Sequence, residues 1–428
     1  MFVTIKDLQK SEEKAEITVA GMVHDFKDMG KFAFVSLRVA DGVVQCVYNY
    51  GADVKKLKLE SAVTASGEKI DDRRAPNGFE IHIKNVNVLS VPHEDAPDLI
   101  KNKSKTSMDA DLKYRVVSLR NNRRRAVFAL QSALVAGFRA FLSQNAFTEI
   151  FSPKIGAGSA EGGANMFKLE YFGQKAFLAQ SPQFYKQMLI PVYMRVFEIA
   201  PVFRAEKHDT PRHLNEYISV DFEMGFIDSF KDICETERNM LKFTFDYIRE
   251  NYPNLLSTLK IELPDIKEIP YVTFREAKEA VAAKYNRKIK DPYDLEPEEE
   301  RLISQMYKEE FDTDFVFVTH YPDKKRPFYA KNDPNDEKYT LSFDLLYKGM
   351  EITTGGQRVH NYEEQYAKME RKGLAPADFE SYLMLHKYGC PPHGGLGLGL
   401  ERFCMKILDE ANIRTTSLFP RDTARLTP

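Results

Sequence analysis

The sequence predicts an α+β protein of more than one domain, in which a small β-barrel precedes a larger domain with helices flanking a mainly antiparallel sheet. The chain has 428 residues, more than one hydrophobic core usually serves. Residues 14–90 form a series of short segments rich in β-branched and aromatic residues. Beyond residue 190, apolar runs follow one another without the regular strand–helix alternation of a parallel sheet.

Composition and charge exclude several classes of protein. Apolar residues make up 43% and charged residues 29%, which excludes collagen-like, mucin-like and largely disordered chains. The net charge of −2 argues against a globally basic nucleic-acid binder, although residues 101–125 form a local basic run. No run of eighteen apolar residues, secretory signal or CxxC pair is present, so we expect a soluble, cytoplasmic, multidomain protein without structural zinc or disulfides.

The N-terminal region, residues 1–95, is predicted to hold about five strands separated by turn residues. From composition, an OB-fold that binds single-stranded nucleic acid, an SH3-like barrel and a purely structural barrel are equally compatible. Residues 96–120 contain Pro97 and scattered charges with little periodicity, which favours a linker.

The remaining chain, residues 121–428, mixes both element types. Val127, Leu130, Leu134 and Phe138 recur at helical spacing and mark one buried stripe. Strands are predicted within 195–205, 218–226, 314–321 and 341–352, and helices near 230–250, 273–286, 362–372 and 377–388.

The familiar phosphate-binding motifs are missing. There is no GxxxxGK[ST], and the glycines of GLGLGLER (395–402) fall at every second position rather than as GxGxxG. This segment could be a plain strand that runs into a helix. Its glycines could also let the backbone approach a ligand, with Arg402 over a flat base or a phosphate.

Two further clusters carry candidate chemistry. Residues 203–224 place Arg204 at the rim of a predicted hairpin and Asp221 and Glu223 on one strand face, which suits an anionic substrate with a metal ion. Surface salt bridges are the alternative. In residues 343–358, Asp344 and Glu351 offer oxygen ligands to Mg²⁺, and Arg358 suits a carboxylate.

Taken in order, these segments resemble the class II aminoacyl-tRNA synthetases, and most closely the aspartyl enzymes of the archaeal type. FTEIFSP (147–153) resembles motif 1, FRAE with RHLNEY (203–217) motif 2, and GLGLGLER motif 3. SPQFYKQ (181–187) and GGQR (355–358) lie between them. The resemblance covers nearly the whole chain, except for a loose match across 252–335, and the class I HIGH and KMSKS signatures are absent.

The resemblance implies an N-terminal OB-fold barrel that binds the anticodon, a class II catalytic domain, a homodimer joined through motif 1, and two-step charging of tRNA. Aspartate would attack the α-phosphorus of ATP, and tRNA would then accept the aspartyl group. The residues it implies for aspartate are Glu161, Ser181, Gln183, Lys186, Arg204, Asp221, Thr354 and Arg358. Those for ATP are Arg204, Glu206, Arg212, His213, Leu214, Tyr217, Glu351, Gly399, Glu401 and Arg402, with adenine between Tyr217 and Arg402.

The same resemblance implies that Asp344, Glu351 and Thr354 bind Mg²⁺, although the family usually has serine in place of Thr354. It also implies that Lys186 and Arg358 select the aspartate carboxylate. Asparaginyl enzymes share the three motifs but typically lack this lysine, so we expect aspartate as the substrate.

Residues of the barrel bear on the choice of tRNA. The resemblance implies that Phe34 stacks on an anticodon base, with Phe32 as a rival and a core role as the alternative, and that Gln45 bonds the central uridine. His24 and Pro76 stand where enzymes restricted to tRNA(Asp) tend to have tryptophan and lysine. We therefore expect charging of both tRNA(Asp) and tRNA(Asn), which requires an amidotransferase downstream. A discriminating enzyme, an RNA-binding regulator and an asparagine synthetase are the alternatives.

Overall fold

The computed structural model of the protein describes residues 4–49, 57–100, 106–157 and 165–427. The chain divides into two compact units, Met1–Arg125 and Ala126–Pro428. The predicted linker, 96–120, therefore lies within the first unit, next to the barrel strands.

The first unit contains a closed barrel of five strands. Its elements are α1 (Ile5–Lys10), β1 (Glu16–Asp28), β2 (Phe32–Arg38), β3 (Val43–Asn49), β4 (Ala62–Asp71), β5 (Phe79–Ser90), α2 (Met108–Lys113) and α3 (Arg115–Ser118). The strands pair in the order β1-β2-β3-β5-β4, antiparallel except for β3 with β5. Alternate residues face inward, for example Val35 and Leu37 of β2, which are about 1% exposed. The predicted small barrel is confirmed.

The segment read from the sequence as a linker contains the short helices α2 and α3. Ser107 caps the first of them by accepting a hydrogen bond from the Ala110 backbone. Arg115 and Arg124 both pair with the buried Asp111, Arg124 at 2.9 Å. The segment has no apolar periodicity, but pairing between these charged side chains orders it.

The second unit is built around one large sheet. The strands of the second unit, of which eight form the large sheet, are β6 (Thr148–Glu149), β7 (Ile155–Gly156), β8 (Lys168–Tyr171), β9 (Gln174–Leu178), β10 (Arg195–Phe203), β11 (Glu216–Gly225), β12 (Tyr271–Thr273), β13 (Phe315–Thr319), β14 (Asn332–Asp333), β15 (Asp336–Thr340), β16 (Ser342–Tyr347), β17 (Met350–Gln357) and β18 (His393–Gly399). Its helices are α4 (Asn122–Gln144), α5 (Gln183–Met188), α6 (Ile190–Tyr193), α7 (Phe230–Asn251), α8 (Pro253–Leu259), α9 (Phe274–Tyr285), α10 (Pro297–Phe311), α11 (Tyr362–Arg371), α12 (Glu380–Lys387) and α13 (Leu400–Ile407). Short 3-10 helices lie at Asp323–Lys325, Pro376–Phe379 and Ile413–Thr416.

The large sheet has eight strands among the described residues, in the order β12-β13-β16-β17-β18-β11-β10-β6. Its central strands are antiparallel, and parallel pairs occur at the two ends, β12 with β13 and β10 with β6. The predicted antiparallel sheet with helices is therefore confirmed. Strands β17, β18, β11 and β10 are neighbours in this order, although they are distant in sequence. Many of the side chains predicted to be functional lie on or next to these four strands.

Helix α4 is the one helix in the described part of the chain long and apolar enough, by length and composition, to cross a membrane. A core helix passes the same test. Leu130, Leu134 and Phe138 of α4 are wholly buried in the main hydrophobic core. The helix therefore packs as the predicted core helix does.

Candidate functional site

A cavity of about 570 Å³ opens over the centre of the large sheet. Strands β11, β17 and β18 form its floor, and helices α5 and α13 and the segment 324–330 form its walls. The predicted site residues among those that line it are Ser181, Gln183, Lys186, Arg204, Glu206, Arg212, His213, Leu214, Tyr217, Asp221, Glu351, Thr354, Arg358, Gly399, Glu401 and Arg402. Glu161, which the resemblance implies for aspartate, lies outside the described residues.

One end of the cavity holds two buried cations. Lys186, on α5, donates to Asp221 Oδ1 at 2.9 Å and to the Leu396 carbonyl at 2.8 Å. Arg358, just after β17, donates through Nε to Glu223 Oε1 at 2.9 Å and through Nη2 to the Gly395 carbonyl. Asp221 and Glu223 share one face of β11, as their spacing predicts.

Glu223 was expected to face a ligand, but it serves as the counter-ion of both cations. Its Oε2 also lies 3.5 Å from Lys186 Nζ. Burial alone would raise the pKa of Glu223, but Arg358 and Lys186 lower it below its usual value. Arg358 Nη1 makes no hydrogen bond within the described residues, so it is the donor that remains for a bound anion.

Alternating glycines in β18 make room for these carboxylates. Gly397 stands opposite Asp221 and Gly395 opposite Glu223 across the β11–β18 pair. A Cβ at Gly397 would lie 3.1 Å from Asp221 Oδ1, and one at Gly395 would collide with the Glu223 carboxylate. The glycine repeat therefore admits charged side chains of the neighbouring strand rather than a dinucleotide.

The loop between β10 and β11 supplies the cations of the opposite end. The Arg204 guanidinium lies 5.8 Å from the centre of the Tyr217 ring, and Arg204 Nη1 is 3.9 Å from Glu206. Asn215 fixes the loop by donating its side-chain amide to the carbonyls of Arg204 and Glu206 at 2.7 and 2.9 Å. Sequence reasoning included Asn215 in a motif but missed this bracing role.

Two predicted nucleotide contacts have structural partners of their own. Glu401 accepts the Ile218 backbone N–H with both carboxylate oxygens, at 3.1 and 3.0 Å, and burial raises its pKa to about 8. Leu214 packs in a small apolar cluster with Met350 and Met405.

Burial and the nearby Arg402 lower the pKa of His213, which keeps its ring neutral at neutral pH.

The carboxylates predicted to bind metal lie on β16 and β17. Asp344 and Thr354 stand opposite each other in this pair, and the Thr354 hydroxyl donates to Glu351 Oε1 at 2.6 Å. Burial and the like charge of Glu351 raise the pKa of Asp344 to about 6, against the opposing effect of Arg326. Within the described ranges, no group of three or more His, Cys, Asp or Glu side chains is arranged for a metal ion.

Two residues of this region come from the segment 252–335, to which the sequence assigned no role. Arg326 Nη2 donates to Asp344 Oδ1 at 2.8 Å, and its guanidinium lies 4.0 Å from the Tyr321 ring centre. Glu300, on α10, pairs with Arg212 and accepts the backbone N–H of Glu351 at 3.2 Å. No motif marked either residue, because each is defined only by its tertiary partner.

The barrel presents a second group of predicted residues. Phe32 and Phe34 both lie half-buried on the outer face of β2, with ring centres 5.2 Å apart, so neither is an interior core residue. Gln45 is the diagonal neighbour of Phe34 on β3, and its amide donates to Glu80 Oε2 at 3.0 Å. Pro76 is exposed in the turn between β4 and β5.

His24 occupies an irregularity in β1. The pairing with β2 shifts between Val23 and Asp25, so His24 is the extra residue of a bulge. Arg38 Nη1 lies 3.3 Å from His24 Nδ1, and the same guanidinium makes two 2.7 Å bonds to Glu60. Arg120, from the predicted linker, also donates to Glu60, at 2.8 Å.

Comparisons with known proteins agree with this architecture. The family described as tRNA synthetases class II (D, K and N) matches residues 107–423, and the OB-fold nucleic acid binding domain matches residues 17–89. Aspartate–tRNA(Asp/Asn) ligase of Deinococcus radiodurans is 42% identical over 97% of this chain and 96% of its own. Aspartate–tRNA(Asp) ligase of Pyrococcus horikoshii is 37% identical over 96% of both chains. The crystal structure of asparaginyl-tRNA synthetase from the same organism, complexed with asparaginyl-adenylate, has a TM-score of 0.90 at 32% identity and 100% coverage of both chains.

Proposed function

The chain belongs to the class II tRNA synthetases (D, K and N), and on that premise we propose that it attaches L-aspartate to tRNA at the expense of ATP, on both tRNA(Asp) and tRNA(Asn). The observation that carries the amino-acid assignment is the pair of buried cations, Lys186 and Arg358, at one end of the cavity.

The reaction has two steps. An oxygen of the aspartate α-carboxylate forms a bond to the α-phosphorus of ATP, the bond from that phosphorus to the bridging oxygen breaks, and pyrophosphate leaves. A ribose hydroxyl of tRNA then attacks the activated carbonyl, and AMP leaves with the bonding electrons. Arg204 lines the cavity at the β10 end and stabilises the negative charge that develops around phosphorus.

Selection of aspartate over asparagine is a question of charge. Lys186 and Arg358 are balanced by Asp221 and Glu223, and a bound aspartate adds a side-chain carboxylate within reach of Arg358 Nη1. An asparagine side chain offers Arg358 Nη1 only a neutral carbonyl oxygen, which binds a guanidinium less strongly than a carboxylate does. Asp221, Ser181 and Gln183, which line the same cavity, are proposed to accept hydrogen bonds from the substrate ammonium. The asparaginyl enzymes remain the nearest alternative.

Magnesium is proposed as the metal of this site. Mg²⁺ takes few protein carboxylates and relies on substrate phosphates, so Asp344, Glu351 and the Thr354 hydroxyl fit it without a third acidic ligand. Arg326, which pairs with Asp344, opposes the rise in the pKa of that carboxylate and so favours its ionised form. When bound, the ion neutralises phosphate charge. Glu351 on β17 and Asp344 on β16 would hold it.

The barrel is proposed to bind the anticodon. Phe34 offers a half-buried ring on the outer face of the barrel for stacking, and the Gln45 amide lies on the same face of the sheet. His24 and Pro76 are the residues proposed to tolerate both tRNAs. Aspartyl-tRNA(Asn) must then be amidated, so a tRNA-dependent amidotransferase is the reaction class that consumes this product.

A homodimer is proposed through the edge of the large sheet at β6. Phe151, within motif 1, is 83% exposed, and Phe226 and Met194 are 69% and 52% exposed. Gly225 N–H bonds to the Met194 carbonyl, which joins the last two residues in one patch. Sedimentation velocity should give a dimer that Phe151→Glu dissociates, while Phe311→Glu, an exposed aromatic on α10, leaves it intact.

A cytoplasmic, reducing location is proposed from the cysteines. Cys46, Cys234, Cys390 and Cys404 are all free thiols, and three of them are buried. Burial raises the pKa of the Cys46 thiol to about 12, which keeps it unreactive.

ATP–pyrophosphate exchange without tRNA tests the amino-acid assignment. We expect aspartate to drive exchange and asparagine to leave it at background. Exchange driven by asparagine alone would assign the protein to the asparaginyl group instead. A protein that binds tRNA but exchanges with neither amino acid would be the regulator.

A further inference from the structure

The segment 252–335 contributes a buried carboxylate that contacts two residues lining the cavity, Arg212 and Glu351. Glu300 lies on α10, is 7% exposed, and accepts a hydrogen bond from Arg212 Nη2. The same Oε2 accepts the backbone N–H of Glu351 at 3.2 Å. One carboxylate oxygen therefore links the β10–β11 loop to strand β17.

Arg402 makes the complementary connection from α13. Its Nε donates to the Arg212 carbonyl and its Nη1 to the Glu351 carbonyl, both at 3.4 Å. Arg212 and Glu351 are thus linked in two ways. Glu300 accepts from the Arg212 side chain and the Glu351 backbone N–H, and Arg402 donates to the backbone carbonyls of both residues. The four residues form a closed ring of contacts at the wall of the cavity.

The Arg212 guanidinium is fixed at one end and open at the other. Its Nη2 is bound to Glu300, whereas Nε and Nη1 make no hydrogen bond within the described residues. Arg212 lines the cavity with a side chain that is 20% exposed. A planar fork held in this way offers its remaining donors in a fixed direction, which suits a phosphate.

We propose that Glu300 is a positioning residue for ATP, which orients Arg212 toward the nucleotide phosphates and connects α10 to the strand that carries Glu351. This inference rests on the proposed function only in taking ATP as the ligand. Its consequence is that helix α10, within the segment 252–335, contributes to nucleotide affinity.

The test measures ATP and aspartate separately. For Glu300→Gln we expect the KM for ATP in pyrophosphate exchange to rise about tenfold, with the KM for aspartate changed less than about twofold. Glu300→Asp keeps the charge on a shorter arm and should show a smaller rise. Glu299→Gln is the matched control, because Glu299 is a buried carboxylate on the same helix that pairs with Lys278, away from the cavity.

A double-mutant cycle separates positioning from a general structural effect. If Glu300 acts through Arg212, Glu300→Gln adds little to the KM for ATP once Arg212→Ala is present. Effects that simply add, or a rise equally large in Glu299→Gln, would overturn the proposal.

Calorimetric titration with Mg·ATP makes the outcome independent of aminoacyl chemistry. If the wild-type protein binds ATP but exchanges with no amino acid, the proposed function fails while the Glu300 inference is still decided by the Kd for ATP. An unchanged Kd in a folded Glu300→Gln variant would contradict the inference alone.

Discussion

The Lys186 ammonium lies 2.9 Å from Asp221 Oδ1 inside the cavity, and their side chains are only 1% and 3% exposed. Removing one partner of such a pair leaves an uncompensated buried charge, at a cost of about 3–5 kcal/mol. The two side chains therefore act as a unit, and a substrate must bind without leaving either charge uncompensated.

Lys186→Met should lower kcat/KM for aspartate-dependent pyrophosphate exchange by roughly 100-fold or more, because a substrate carboxylate and Asp221 both lose their cation. Lys278→Met breaks a similarly buried Lys–Glu pair outside the cavity and serves as the control. Full aspartate activity in Lys186→Met, with only thermal stability reduced, would remove this lysine from substrate recognition.

Replacing His24 and Pro76 should narrow the choice of tRNA. In His24→Trp/Pro76→Lys we expect kcat/KM for tRNA(Asn) to fall about tenfold relative to tRNA(Asp), because an indole at the bulge beside Arg38 is larger than an imidazole and leaves less room for a second tRNA. His93→Trp, at a side chain that is 97% exposed, is the control. An unchanged ratio would show that these two positions do not set the choice.

The contact between Arg38 and His24 predicts a single tautomer. Arginine is always protonated and can only donate, so His24 Nδ1 must accept and the ring proton resides on Nε2. Burial and the Arg38 charge lower the pKa of His24, which favours this neutral form. Nitrogen-15 NMR of labelled histidine should report the Nε2–H tautomer at pH 7. An Nδ1–H signal for His24 would contradict the observed contact.

Glu351→Gln should raise the Mg²⁺ concentration for half-maximal exchange about tenfold or more, because the ion loses a charged ligand. Direct Mn²⁺ binding followed by electron paramagnetic resonance should weaken in parallel, and EDTA should abolish exchange by the wild-type protein. Glu298→Gln, in an exposed pair with Arg301, should behave like wild type. Unaltered Mn²⁺ affinity in Glu351→Gln would place the metal elsewhere.

Glu237 predicts a pH-dependent stability. It is wholly buried on α7, and burial raises its pKa to about 8 from 4.5. Because the folded pKa is the higher one, its stabilising contribution is complete below about pH 4.5 and is lost as pH rises through 8. Glu237→Gln should therefore gain stability over wild type by an amount that grows from pH 5 to pH 8.5, on the order of 1–3 kcal/mol.

Calorimetric scans at several pH values measure this gain, and Glu235→Gln on the same helix is the control, because Glu235 is partly exposed and its pairing with Arg238 lowers its pKa. A constant difference in Tm between Glu237→Gln and wild type across this range would contradict the assignment.

The sequence predicted the architecture because periodicity and turn residues report local structure. The stripe that includes Leu130 and Phe138 became α4, and the spacing of Asp221 and Glu223 placed both on one face of β11. The linker prediction missed α2 and α3, since the Asp111–Arg115 pair that orders them has no apolar signature.

Pairings between distant segments could not be predicted in this way. The sequence singled out Lys186 and Arg358 as ligands of a substrate, but their counter-ions became identifiable only when β11 was placed beside them. Glu300 and Arg326 were missed for the same reason. The role of a charged residue on a helix or loop can be assigned only when the tertiary partner that buries it is known.

Charging of purified tRNA(Asp) and tRNA(Asn) with labelled aspartate, with labelled asparagine as the control, tests the central claim most directly. We expect aspartate to be attached to both tRNAs at comparable kcat/KM, and asparagine to neither. Aspartate on tRNA(Asp) alone would contradict the relaxed choice of tRNA, and asparagine on tRNA(Asn) would contradict the substrate assigned to Lys186 and Arg358.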